Sequence, residues 1–554
     1  MKRLRPACLL LVSMPFLFAC SKSTLSEEDY RAQRAALIEA HSAQDPTFAA
    51  LQSEMESEES YSSEYWRWRI DQYLYGQYTE FQPIYDAFVR GKSFTQIYDL
   101  PAEDLAATPE PGAELTDLPE GFFTDNLPGN VHTGKTVLAD GKVYITYQGH
   151  LTDPYVASYD LENDTWDGPY KAGHSTLSKD GRKVDSHGRP AIEQDSDGYF
   201  HIVYGGHGGE REDGLNPLSI DTPHAGGRMI HVVSEKPYDI SSFVEKDDIT
   251  PFASYTATCK MGNGDIYFFT RAGTHKSPWV YYKMKSGSQT FEPPVLITWP
   301  VPQADDPIHV DTFYITPKKV SDTEIVVTYL WHECNFKEIH DRTHYSRINT
   351  YYMKLDTSDD TFYNVEGKKL PLPLTKATAD ELTLAYNSSE TGETCFGTRP
   401  LVLEDGRPAA AYEAMGDDYR EWRMVVYENG KWTHSLPIPG TKRNSVTDTS
   451  GRKIKSLLKH ETIKEGGSSA TAAVIYRNAA GETVFATAQK SADSTPSEEA
   501  WTVDREYLSL SKASMQMHAV RNEAGEAEAL VLNVRKGSAQ RLYLWHDGAL
   551  RPQN

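Results

Sequence analysis

The chain has 554 residues, with 56 Lys and Arg against 79 Asp and Glu, and so a formal net charge of −23. At 39% hydrophobic, 11% aromatic and 24% charged residues it has the composition of a folded globular protein, which excludes a disordered chain or a bundle of membrane spans. The charge also excludes a protein that coats nucleic acid through its bulk field, so any anionic ligand needs a local basic site.

At the N-terminus, Lys2, Arg3 and Arg5 precede an apolar run from Ala7 to Ala19 that is too short for a spanning helix and is flanked like a signal sequence. The run ends in Leu17-Phe18-Ala19-Cys20, which resembles a bacterial lipoprotein box. That resemblance implies a signal peptide over 1–20, lipidation of Cys20, and a lipid anchor as the route to a membrane. An ordinary cleaved signal is the alternative. Ser21 after the cysteine resembles outer-membrane sorting, so the expected location is the cell envelope. Cys8 leaves with the signal, and Cys259, Cys334 and Cys395 remain. An odd, widely spaced set suits a metal or buried thiols better than a disulfide framework.

Residues 21–118 read as a helical region and linker. Glu27–His41 and Tyr65–Arg90 carry apolar and aromatic residues at helical spacing, and Pro101–Pro111 is a Pro/Ala/acidic linker. This stretch holds 7 basic and 19 acidic residues, a charge of −12. With +3 on the signal, residues 119–554 carry the remaining −14. A spacer lifting the rest of the protein from the membrane is the default reading of the helices, and a tandem docking module is the alternative.

From residue 119 onward strands and turns take over. Hairpin turns between alternating apolar runs stand at Ala139–Lys142, Asp195–Gly198, Met261–Gly264, Ser321–Glu324, Glu404–Arg407, Asn478–Glu482 and Asn522–Glu526. A second hairpin follows each, over Tyr155–Trp166, Met229–Tyr238, Val280–Phe291, Tyr351–Phe362, Met424–Trp432, Val484–Trp501 and Leu542–Leu550. Four strands repeated at a mean spacing of roughly 60–65 residues predict an all-β, seven-bladed β-propeller over 119–554. Tandem β-sandwiches would not produce this paired-hairpin rhythm.

Across a hairpin, residues whose numbers have a constant sum face each other. His187 and His207 are symmetric about residue 197, Tyr255 and Arg271 about 263, Tyr314 and His332 about 323, and His132 and His150 about 141. Four consecutive inner hairpins thus carry polar or titratable residues at their open ends, on one face around the central channel. His201 follows its strand's alternation and reads as a packed histidine. The glycines flanking His207 are expected to leave room for a bulky ligand near the backbone.

The His187-Gly188-Arg189-Pro190 stretch, Asp197-Gly198-Tyr199 with His201, Gly205-Gly206-His207-Gly208 and the Tyr255/Arg271 pair resemble the propeller polysaccharide lyases of families 24 and 25, the ulvan lyases. The resemblance covers about residues 120–550. It implies cleavage of a polymer of sulfated rhamnose and uronic acid by β-elimination beside the uronate. Arg271 is the natural clamp for the uronate carboxylate. His187 and His207 are then a base/acid pair flanking the sugar, and Tyr255 completes proton transfer. Tyr314 is expected to contact substrate, with His132 and His150 at the same face. Which residue is base and which acid stays open.

Histidines and a cysteine also gather at Thr274-His275, Trp331-His332-Glu333-Cys334 and His340–His344. His275, His332, Cys334 and His344 are proposed as ligands of a structural zinc, with His340 as the reserve, in line with the zinc site of related lyases. The elimination itself does not require this metal. Two other classes compete. A propeller glycoside hydrolase needs a carboxylate pair or an arginine triad, whereas the opposed residues here are His, Tyr and Arg. A non-catalytic sugar-binding propeller has no need for two facing histidines. The expected partner is a sulfated uronate polysaccharide, with no nucleic acid, and the expected state is a monomer.

Overall fold

A computed structural model of the chain describes residues 25–41, 44–57, 66–67, 70–71, 73–74, 78, 80–89, 132–149, 152–175, 186–207, 216–218, 227–250, 252–274, 276–302, 310–333, 346–403, 405–416, 419–435, 445–454, 457–466, 469–490, 500–522, 526–536 and 539–551. Period-two runs bounded by Asx turns give the strands of this fold. At Asp195, Asn364, Asp448 and Asn478 the side-chain oxygen accepts the backbone N–H groups two and four residues on, which closes each turn.

The first sheet holds β1 (His132–Ala139), β2 (Lys142–Gln148), β3 (Pro154–Asp160) and β4 (Thr165–Lys171) in sequence order. Next come β5 (Ala191–Gln194), β6 (Phe200–Gly205), β7 (Gly227–Ser234) and β8 (Phe243–Lys246). They share one eight-stranded sheet with β9 (Phe252–Lys260), β10 (Ile266–Arg271), β11 (Trp279–Met284) and β12 (Val295–Thr298), joined through β7 and β9. A six-stranded sheet follows with β13 (Val301–Pro302), β14 (Val310–Lys319), β15 (Glu324–Glu333), β16 (Ser346–Asp356), β17 (Thr361–Tyr363) and β18 (Leu384–Tyr386). Then come β19 (Thr394–Val402), β20 (Pro408–Gly416), β21 (Tyr419–Glu428) and β22 (Lys431–Ser435), again four strands. Another six-stranded sheet holds β23 (Ser445–Thr447), β24 (Lys453–Ile454), β25 (Leu457–Gly466), β26 (Ser469–Arg477), β27 (Thr483–Lys490) and β28 (Ala500–Leu510). The last four strands are β29 (Ala513–Arg521), β30 (Ala527–Lys536), β31 (Ala539–His546) and β32 (Ala549–Arg551). The architecture is all-β and propeller-like.

The second strands show how the sheets stack. Alternate residues of a strand point to opposite faces, and here both faces are apolar and buried. In β2, Val143, Ile145 and Tyr147 pack against Val531 and Leu544 of the last sheet, while Tyr144 packs against Phe200 and Ile202 of the next one. In β10, Tyr267 and Phe269 face Ile325 and Tyr329, and Ile266 and Phe268 take the other side. Each such side chain contributes about 1.5–3 kcal/mol by leaving water. The first strands run side by side, β1 with β5, β5 with β9, β9 with β14, β14 with β19, β25 with β29, and β29 with β1. The Lys135 ammonium ties three of them together, pairing with Glu193 and donating to the Thr258 carbonyl at 3.0 Å. The ring therefore closes where the last sheet packs on the first, through apolar side chains.

Helices Glu27–His41, Pro46–Ser57 and Gln82–Val89 precede the sheets. Tyr30 stacks on Phe88 at 4.0 Å, Arg34 pairs with the buried Asp71 carboxylate, and Asp45 accepts from Tyr73 at 2.7 Å. The Tyr85 ring meets His174 edge-on at 5.2 Å. His174 and Lys171 both pair with the buried Asp153 carboxylate, at 2.9 and 2.7 Å, which holds that carboxyl below its usual range. The helices thus rest on the outer end of the first sheet. No helix among the described residues is long and apolar enough to cross a membrane.

Candidate active site

The β5–β6 ladder pairs Ala191 with Val203, Ile192 with Ile202 and Glu193 with His201, without a break. The ladder ends there, and past it His187 stands in the short helical turn Ser186–Gly188 and His207 just beyond β6. Their imidazoles stack face to face, with centroids 3.8 Å apart and planes 9° apart. The two rings stand beside each other rather than on opposite sides of a sugar-sized gap. Gly205, Gly206 and His207 all have positive φ, of 88°, 80° and 63°. A Cβ at Gly206 would lie 2.3 Å from the Ala253 carbonyl oxygen, and one at Gly205 2.5 Å from that of Arg228. These two glycines therefore admit the neighbouring backbone, not a ligand, and the expected room at this point is filled. The turn fixes His207, whose N–H donates to the Ala253 carbonyl at 2.6 Å.

The β9–β10 ladder follows the expected register as far as Phe269 opposite Ala257, and then slips by one. Arg271 faces Ser254 instead of Tyr255, and the slip is a β-bulge with Tyr255 in the left-handed region at φ 71°. A non-glycine residue there costs of order 1–3 kcal/mol and persists only where its surroundings over-determine it. Arg271 is 1% exposed. Its Nε donates to Ser254 Oγ at 3.1 Å, and that hydroxyl donates to the Gly273 carbonyl at 2.5 Å. Nη1 has no hydrogen-bond partner, and no carboxylate pairs with the guanidinium, among the described residues. A buried cation in this state is costly unless an anion reaches it.

Aromatic rings wall this cation. Its Cζ lies 5.0 Å from the Tyr255 centroid and 5.2 Å from that of Tyr314. Tyr255 meets His187 edge-on at 5.0 Å, stacks on Trp279 at 5.5 Å and approaches Tyr314 at 6.0 Å. Burial, reinforced by the Tyr314 phenol, pushes the Tyr255 hydroxyl well above its ordinary value, against the opposing pull of Arg271 and Arg347. His187, His207, Tyr255, Arg271 and Tyr314 thus form one connected group.

The other expected residues divide. The β14–β15 ladder is shifted by two from the expected pairing, with Thr312 opposite His332 and Tyr314 opposite Leu330. The Val320 N–H closes on the Glu324 carbonyl, which centres the turn on residue 322 rather than 323. Tyr314 and His332 still meet edge-on at 5.4 Å, as diagonal neighbours. In β1–β2, His132 is paired with Gln148, because the turn centre lies between residues 140 and 141 and a bulge follows Thr136. His150 lies outside the described residues. His201 is 3% exposed, with its ring nitrogens 3.1 Å from His231 and 3.2 Å from Asp195, as a packed histidine should be.

Of the zinc ligands, His332 is buried at the end of β15, and His275, Cys334, His344 and the reserve His340 lie outside the described residues. No cluster of three metal-ligating side chains occurs among the described residues. Trp279, at the start of β11, is held next to β14, because its Nε1 donates to the Phe313 carbonyl at 2.6 Å. Three imidazoles and one thiolate suit zinc chemically. Cys259 and Cys395 are free and buried, and burial raises each thiol to about 11.

Sequence reading missed Ser254, Trp279 and Arg347. Ser254 enters only through the bulge, which the constant-sum rule cannot anticipate. Arg347 faces His332 in the β15–β16 ladder and lies 4.4 Å from the Tyr314 centroid, so extending the pairing to the second hairpin would have found it.

The BNR repeat-containing family matches residues 142–437. An ulvan lyase of Alteromonas sp. (strain LOR) is 37% identical over 364 residues, spanning 62% of this chain and 73% of the relative. An ulvan lyase of Pseudoalteromonas sp. (strain PLSV) is 40% identical over 51% of this chain and 59% of its own length. Among solved structures, a family 25 polysaccharide lyase, an ulvan lyase bound to -[GlcA(1-4)Rha3S]-, superposes with a TM-score of 0.62 at 30% identity, covering 78% of this chain and 96% of that one. On these matches the chain belongs to the BNR repeat-containing family and, within it, groups with the ulvan lyases.

Proposed function

We propose that the chain is a polysaccharide lyase that cleaves ulvan by β-elimination at the uronate, leaving unsaturated uronyl oligosaccharides. The observation that carries this reading is the buried Arg271 guanidinium, which has no carboxylate partner among the described residues and lies within one shell of aromatic and imidazole groups. The C5 proton of a uronate is weakly acidic, and a guanidinium on the carboxylate stabilises the charge that develops when the proton leaves. An imidazole of the His187/His207 stack takes this proton. The C5–H electrons form the C4=C5 bond, the C4–O4 bond breaks, and the leaving oxygen takes up a proton. Tyr255 is the natural donor, because its phenol lies beside His187 and the charge of Arg271 opposes the effect of burial and favours proton release. Once it has given up the proton, the charge of Arg271, whose Cζ lies 5.0 Å from the ring centroid, favours the phenolate. Tyr314 contacts the sugar, and His132 and His150 are the further substrate contacts of this reading. A hydrolase reading lacks, among the described residues, the carboxylate pair it would need at this group.

A seven-bladed count is supported by the sheets. The eight-stranded sheet is joined only by the short pairing of Gly227 with Ala253 and Arg228 with Phe252, and divided there it yields two four-stranded units. Residues 119–554 are then the propeller and 21–118 a helical spacer. The lipoprotein box supports a lipid anchor on Cys20, an outer-membrane location and a monomer that meets its polymer at the cell surface. Zinc held by His275, His332, Cys334 and His344 would be structural and would take no part in the proton transfers. Incubation of the protein with ulvan tests the reading, with growth of the ultraviolet absorbance of the C4=C5 bond as the expected result. New reducing ends without that absorbance mean hydrolysis, and neither signal means a binding protein.

A further inference from the structure

The connection that leaves His207 meets the turn that carries Arg271. Asn216 and Leu218 belong to this connection, between β6 and β7, and Leu218 packs against the core cluster that holds Ala253, Phe268 and Ala272. Asn216 is 5% exposed, and both ends of its amide are engaged. Its Oδ1 accepts the Leu218 N–H at 3.0 Å, and its Nδ2 donates to the Ala272 carbonyl at 2.9 Å. Ala272 directly follows Arg271, and its own N–H donates to the Pro278 carbonyl at 2.8 Å. Gly273 then turns the chain at φ 140°, with its N–H on the Arg271 carbonyl at 2.8 Å and its carbonyl accepting from Ser254 Oγ. A Cβ at Gly273 would lie 2.2 Å from Ser277 Oγ and 2.9 Å from Asn216 Nδ2, so the turn is closed tightly against the amide.

The guanidinium depends on this turn. Among the described residues its Nε is held by Ser254 Oγ, and its Nη1 has no partner. The direction of the side chain therefore rests on the backbone from Arg271 to Gly273. A buried amide and carbonyl hold each other in place, because either one left unpaired is costly. Resting on the ulvan lyase reading, we propose that Asn216 is a positioning residue for Arg271. By holding the Ala272 carbonyl from the connection that follows His207, it fixes the guanidinium relative to the imidazole stack. Ser254 holds the end of the side chain, and Asn216 the backbone at its root. A clamp and a base carried by different hairpins need such a link, since a misplacement of about 1 Å costs about 10²-fold in rate.

The test is a double-mutant cycle on the full chain, with Asn216→Ala, Ser254→Ala and the double variant assayed on ulvan by the absorbance of the new double bond. Each single variant is expected to lower kcat/KM about 10–100-fold. Both act on one guanidinium, so the double variant should lie within about threefold of the less active single variant, far above the product of the two losses. Losses that multiply overturn the proposal, because a residue that only stabilises the fold acts independently of Ser254. An Asn216→Ala enzyme within about twofold of the parent overturns it as well. If urea unfolding shows that Asn216→Ala does not fold, Asn216→Ser carries the same cycle. Its shorter hydroxyl donor should give a smaller loss that is again less than multiplicative with Ser254→Ala, and a multiplying or absent loss overturns the proposal. A parent enzyme that releases no unsaturated product from ulvan overturns the ulvan lyase reading and this proposal with it, an outcome distinct from the others.

Discussion

The β5–β6 and β9–β10 hairpins bring their functional side chains to the same end of the molecule by opposite means. In β5–β6 the ladder is unbroken, and the strain is moved past its end, into Gly205, Gly206 and His207. In β9–β10 the ladder itself breaks, and the strain sits on Tyr255 within the strand. A regular ladder can only place two side chains opposite each other, which suits a pair that stacks, as His187 and His207 do at 3.8 Å. A bulge rotates one residue out of register and recruits another in its place. Here it frees Tyr255 to lie under Arg271 and brings in Ser254 to hold the guanidinium. The stacked pair is a product of register, and the cation–phenol pair a product of its failure.

Removing the charge that the bulge serves gives the largest expected effect. Arg271→Ala should lower kcat/KM on ulvan by about 10³-fold or more, since the developing carboxylate charge loses its counter-ion. Thermal melting should show no collapse of the fold, because a buried cation without a carboxylate partner contributes little to stability. A variant with kcat/KM within tenfold of the parent enzyme would remove the bulged hairpin from the chemistry.

The regular hairpin should break at its end, not along its ladder. Gly206→Ala places a Cβ 2.3 Å from the Ala253 oxygen at a residue with φ 80°. The expected loss is about 2–4 kcal/mol of stability, read as a lower urea midpoint, with activity lost in proportion as His207 shifts. An unchanged midpoint would mean that the glycine is not structurally required. In the bulged hairpin the corresponding support is Ser254. Ser254→Ala keeps the charge but frees Nε, and a hydrogen bond to a charged group is worth about 1.5–3 kcal/mol, so kcat/KM should fall about 10–100-fold. Ser254→Thr, which keeps the hydroxyl, should recover most of it.

The same contrast explains how much could be read in advance. Turn residues and alternating apolar runs mark six of the expected first hairpins, because Asx turns and two-sided burial leave direct traces in residue type. The Asn478–Glu482 turn, however, closes β26 on β27 and not the first hairpin of its sheet, which is β25–β26. His187 and His207 were legible as neighbours from the constant sum of the ladder, although the ladder ends at Ala191 and Val203 and a helical turn and two positive-φ glycines carry the chain on to the two rings. Tyr255 and Arg271 were legible as neighbours but not as partners across the ladder, because a bulge is decided by packing and not by its own residue types. Tyr314 and His332 slipped by two for a simpler reason. The Val320–Glu324 closure has the same length as the Asp195–Tyr199 and Met261–Asp265 closures but is centred on 322 and not 323, and a constant-sum rule is only as good as its centre. Arg347 reaches the site from the third strand of its sheet, and no local pattern signals a contact between one sheet's outer hairpin and the next sheet's Phe396.

The smallest expected effect separates the regular hairpin's two histidine environments. His207 stands at the open end, while His201, in the same strand, is buried against His231 and Asp195, with Asp248 beyond His231 at 2.9 Å. Burial lowers the His201 pKa, and the charge of His231 adds to this, against the opposing pull of Asp195 and Asp248. In the unfolded chain this imidazole gains a proton near pH 6.5. The folded protein binds it only at lower pH, so the stability from His201 is complete above about 6.5 and declines as the pH falls below that value. Asp195 is itself held below its usual carboxylate range, so its own titration affects stability only at much lower pH and does not blur this window. Urea midpoints measured between pH 7.5 and 5.5 should therefore fall with acid in the parent protein and fall less steeply in His201→Gln. Equal slopes in the two proteins would overturn this assignment and place the titration elsewhere.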